Sequence, residues 1–105
     1  MMQPITFDLA DLMPDVPADS IVSRTLLDDG HLKIILFGFD AGQELSEHTA
    51  SMTAILHFLS GEASLTLDTE ERTAKAGTWV HMPPRLPHSV KALTPVNMLL
   101  MMIRG

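Results

Sequence analysis

Short runs rich in aliphatic and β-branched residues, cut at a steady interval by turn residues, leave this chain few folds to choose from. The runs cover 21–27, 32–39, 54–59, 63–67, 78–82, 89–93 and 96–103. Between them stand Asp28-Asp29-Gly30, Ala41-Gly42, Ser60-Gly61, Asp68-Thr69-Glu70, Ala76-Gly77, Pro83-Pro84 and Thr94-Pro95. Breaks spaced about 8–12 residues apart mark an all-β sandwich or barrel, because each short strand must turn back to bury its apolar face. No long window holds apolar residues at helical spacing between caps, which argues against a helical or α/β fold.

The chain's 105 residues suit one domain, 1–105, and are too few for two. Within it, residues 1–19 carry Asp8, Asp11, Asp15 and Asp19 among Pro4, Pro14 and Pro17, with no basic residue. That composition predicts an irregular acidic leader packed on the barrel. Residues 63–67 alternate as a half-buried strand does, whereas 32–39 and 98–103 are apolar on both faces. Such strands need cover on each side, the core on one and a subunit contact on the other, so a homodimer is expected.

A net charge of −6, with seven scattered Lys and Arg, argues against a nucleic-acid surface, so neither nucleic acid nor an anionic membrane is an expected partner. The first residues lack a basic segment and an apolar stretch, so neither a signal peptide nor a membrane span is read there. With no cysteine there is neither a disulfide framework nor a thiolate site, which fits a cytoplasmic protein.

Two framed histidines add a second constraint. Gly42, His48, Ala50, Ala54 and Gly61 fall at one set of spacings; Gly77, Pro83, Arg85, His88 and Ala92 fall at another, with fifteen residues between Gly61 and Gly77. These frames resemble the two signature motifs of the cupin superfamily, in the right order and separation. The resemblance covers about half the chain and implies a small antiparallel jelly-roll β-barrel.

In metal-binding cupins, two His and a Glu of the first motif and one His of the second hold iron, manganese, nickel or zinc. Three imidazoles and a carboxylate suit a divalent first-row metal and leave open positions for substrate. Here the second His is Ala50 and the Glu is Ala54, so His48 and His88 alone remain as metal ligands. The resemblance places them on neighbouring strands at a ligand pocket formed by His48, Ala50, Ala54, Leu56, Phe58 and His88.

A third donor is hard to find. His57 stands three positions beyond Ala54, so strand alternation turns it outward when Ala54, Leu56 and Phe58 face in. Glu44 and Glu47 read as solvated loop carboxylates, His81 as an outer-face residue and His31 as an exposed turn residue. Trp79, Phe37, Phe39 and Phe58 read as core or interface packing. Arg85 stands where the motif has glycine; it is either an exposed loop residue or a rim anchor for a carboxylate or phosphate. Three function classes stay open: a small-molecule binding module, a metal-dependent enzyme of dioxygenase or isomerase type, and a dimeric interaction protein.

Overall fold

The computed structural model describes residues 3–104, so the first two positions of the expected leader and the last of the expected domain lie outside the described residues. After a short 3-10 turn at Leu9–Asp11 come the strands β1 (Ile21–Asp28), β2 (Leu32–Phe39), β3 (Glu44–His48), β4 (Thr53–Ser60), β5 (Ala63–Leu67), β6 (Glu70–Ala74), β7 (Trp79–Met82), β8 (His88–Ala92) and β9 (Val96–Ile103). They form two antiparallel sheets in a jelly-roll arrangement, a five-stranded one in the order β1-β2-β9-β4-β7 and a four-stranded one in the order β3-β8-β5-β6.

Seven of these strands follow the apolar runs of the sequence to within a residue or two. The two that no run marks, β3 and β6, are the outer strands of the four-stranded sheet. Four of five residues are exposed in each, so no two-residue apolar period announces them.

Strand alternation builds the core. Ala54, Leu56 and Phe58 of β4, Val96 and Met98 of β9, Ala63 and Leu65 of β5, and Val90 and Ala92 of β8 all point between the sheets and are buried there. Burying a side chain of Leu or Phe size contributes about 1.5–3 kcal/mol, so this shared interior supplies the main drive to closure.

The leader covers part of the other face of the five-stranded sheet. Leu12, Pro14 and Val16 alternate as half-buried residues with exposed Met13, Asp15 and Pro17. A β-carbon on Gly38 would stand 2.6 Å from Val16 Cγ2 and 2.8 Å from Pro14 Cγ, so glycine is what lets the leader lie flat. Leu36, on the same outward face two residues earlier, is fully buried.

Candidate functional site

His48 reaches the interior through a defect in strand pairing. Leu45 pairs with Val90 and His48 with His88, so three steps along β3 match two along β8. The extra residue of this bulge reverses the alternation, and a side chain that would face solvent turns onto the face shared by Val90 and His88. The two imidazoles then meet edge-on, with ring centroids 4.2 Å apart and planes inclined at 60°. His88 is 6% exposed and forms the floor of the site, while His48 is exposed and forms its lip.

Hydrogen bonding fixes the tautomer of both rings. His48 Nδ1 lies 2.8 Å from the Ser46 carbonyl and His88 Nδ1 lies 2.9 Å from the Leu86 carbonyl. A carbonyl only accepts, so each Nδ1 carries a proton, and in the neutral ring Nε2 is then the acceptor. Burial pushes the His88 pKa below its ordinary 6.5; the bond to Leu86 opposes this, and the neighbouring His48 charge adds to it. Burial thus favours the neutral, accepting form of His88.

Around it, the other expected site residues separate. Ala54, Leu56 and Phe58 are 2%, 2% and 0% exposed, so they lie within the core, while Ala50 is half-buried beside the loop. His57 pairs with Trp79 and Ile55 with His81, on the outward face of β4 and β7. Glu44, Glu47, His31 and His81 are exposed. Of the aromatic residues read as packing, Phe39 and Phe58 are fully buried and Phe37 packs against them. Trp79 is not in the core: it is 56% exposed, because alternation in β7 sends Val80 and Met82 inward and leaves Trp79 on the outward side at the sheet margin.

Arg85 lies in the loop that precedes His88. Its amide donates to the Ala50 carbonyl at 2.7 Å, tying the loop before His88 to the segment after His48. Its φ of +68° is a left-handed conformation, otherwise held among described non-glycine residues by Asp19 and Asp68. Aspartate visits this region readily, whereas for arginine it costs about 1–2 kcal/mol. Among the described residues Arg85 makes no ion pair.

The residues present do not fit a catalytic metal centre. Among the described residues no group of three or more His, Asp or Glu side chains is placed to hold a metal ion. Catalytic zinc and iron sites ordinarily take three protein ligands, and here two imidazoles stand alone.

A cavity of about 600 Å³ opens one strand away, between β6 and β7. Leu67, the cross-strand neighbour of His88, belongs to its wall. Nothing in the sequence marked it, because its two sides come from the margins of different sheets.

Comparison with known proteins agrees with this geometry. The cupin-domain family model matches residues 35–104. A conserved protein of unknown function from Streptococcus pyogenes is 30% identical, with a TM-score of 0.84 over 100% of this chain and 91% of its own. A cupin superfamily protein from Desulfitobacterium hafniense is 22% identical, with a TM-score of 0.87 over 100% and 95%. Salicylate 1,2-dioxygenase from Pseudoaminobacter salicylatoxidans shares the fold at 15% identity, with a TM-score of 0.75 over 90% of this chain and 29% of its own. No curated protein matches the chain. With both histidine frames on adjacent strands of a jelly roll and the family match spanning two thirds of its length, this chain belongs to the cupin family.

Proposed function

We propose that this cupin binds a small organic molecule at the mouth of its barrel, against His48 and His88, and that it does so without a catalytic metal. One observation carries the reading. Two imidazoles meet with their Nε2 lone pairs uncommitted, while Ala50 and Ala54 stand where the family pattern would complete a metal set. Neutral imidazole nitrogens accept a hydrogen bond from a ligand hydroxyl or amine, and Arg85 at the rim offers a donor fork to a carboxylate. Two imidazoles in contact are also groups that can pass a proton, should the bound molecule react.

The absence of cysteine favours a cytoplasmic setting. Ile34, Ile55 and Met101 lie half-buried, and Ile103 40% exposed, on the outer face of the five-stranded sheet, which supports a homodimer through that face.

Elemental analysis of untagged protein, purified without chelator, tests the metal-free reading. The wild type and a His48→Ala/His88→Ala double variant should both carry far less than one equivalent of iron, manganese, nickel or zinc. Stoichiometric metal in the wild type that disappears from the double variant would overturn it and favour a metal-dependent enzyme.

A further inference from the structure

We propose that the cleft between β6 and β7 is a second ligand site, separate from the histidine pair, and that it takes a neutral, ring-shaped, polyhydroxylated molecule, a sugar or short oligosaccharide. The two strands are joined by the tight turn at Lys75–Thr78, where the Thr78 amide donates to the Lys75 carbonyl at 2.9 Å and the Lys75 amide to Thr78 Oγ1 at 3.0 Å. They then diverge into different sheets. The volume of about 600 Å³ lies within the range of about 300–1,000 Å³ usual for small-molecule sites.

The lining specifies the chemistry. Leu65 and Leu67 of β5 and Val80 of β7 give an apolar wall, and Trp79, exposed on the outward side of β7, borders the cleft at its edge. Glu70 and Arg72 stand directly across from Leu67 and Leu65, so both point to the inner side of the sheet, over the cleft. Arg72 donates from Nε at 3.3 Å and from Nη2 at 3.0 Å, both to Glu70 Oε2. That leaves Nη1 as a donor and Oε1 as an acceptor within one ion pair, a match for a ligand whose hydroxyls both accept and donate.

Charge decides between ligand classes. The guanidinium and carboxylate cancel, and the chain as a whole carries −6, so nothing here favours an anion. A neutral hydroxylated ring loses nothing to that field, and its C–H face can lie on the indole while its hydroxyls meet the ion pair. Thr78, whose Oγ1 accepts from the Lys75 amide, stands at the turn end of the cleft wall.

The chain holds its own reporter. With one tryptophan and no tyrosine, its fluorescence comes from Trp79 alone. Wild-type protein is titrated with glucose, galactose, mannose, rhamnose, maltose and cellobiose, and in parallel with glucuronate and benzoate. At least one neutral sugar should shift Trp79 emission saturably with a Kd on the order of 1 mM. Arg72→Ala and Glu70→Gln, both at exposed positions, should each weaken it about tenfold, the size expected for losing one good hydrogen bond. The indole N–H resonance in a two-dimensional nitrogen–proton spectrum should move with the same ligands and the same Kd. No saturable change with any neutral sugar in both measurements, preference for glucuronate or benzoate, or undiminished binding in both variants would each overturn the assignment. The inference does not use the histidine pair, so metal found there would leave it standing.

Discussion

Single positions carry the information at the barrel mouth. His88 is held neutral by burial, so protonation is harder in the folded chain than in the unfolded one. Above the ordinary value of 6.5 both states are neutral and stability is flat. As pH falls below that value the unfolded chain binds a proton first, and stability drops until the lowered folded pKa is passed. Thermal melts between neutral and mildly acid pH should show this decline, and His88→Asn, which keeps an N–H near the Leu86 carbonyl, should flatten it; equal slopes would show that His88 is not the group responsible. Arg85 illustrates the opposite balance at one residue. The sequence showed only that arginine replaces the glycine of the motif; the left-handed φ and the bond to Ala50 show that the backbone demand of that position persists with a cationic side chain on it. For Trp79 the sequence left core and interface packing open, and its parity in a four-residue strand removed the core.

Elements differ in how openly the sequence writes them. Central strands such as β2, β4 and β9 have neighbours on both sides and a buried face, so their apolar content is visible at once. The edges β3 and β6 have one neighbour and are mostly exposed, and charged edge strands are also how sheets discourage unwanted pairing. The turn from β4 to β5 shows how tightly an element boundary is set. Gly61 has φ of +85°, and a β-carbon there would collide with the Pro95 carbonyl, whereas Gly30 has φ of +90° with nothing within 4 Å. Gly61→Ala should therefore cost about 3 kcal/mol and lower Tm by roughly 10 °C or more, while Gly30→Ala costs about 1 kcal/mol. Equal losses in calorimetry would mean that φ alone, and not the approach of Pro95, sets the requirement.

At the scale of the whole molecule, the leader and a second copy compete for one description, the cover of an apolar sheet. The leader takes the Gly38 end, and the Ile34, Ile55, Met101 and Ile103 end is left for the proposed partner. Sedimentation should give twice the 11.5 kDa of the chain, and Met101→Lys should return it to 11.5 kDa with unchanged secondary structure; a monomeric wild type would remove the proposal. The sequence by itself determined the all-β class, the central strands and their inward faces, because turn residues and two-residue alternation are local properties; that His48 and His88 lie near each other followed from the resemblance of their frames to the cupin motifs. Only the tertiary structure decided that a bulge in β3 turns His48 inward, that Trp79 faces out, and that β6 and β7 part to leave a cleft. Each of these depends on how one strand registers against another or where a sheet ends, and pairing across long stretches of chain leaves no periodic trace in the residues themselves.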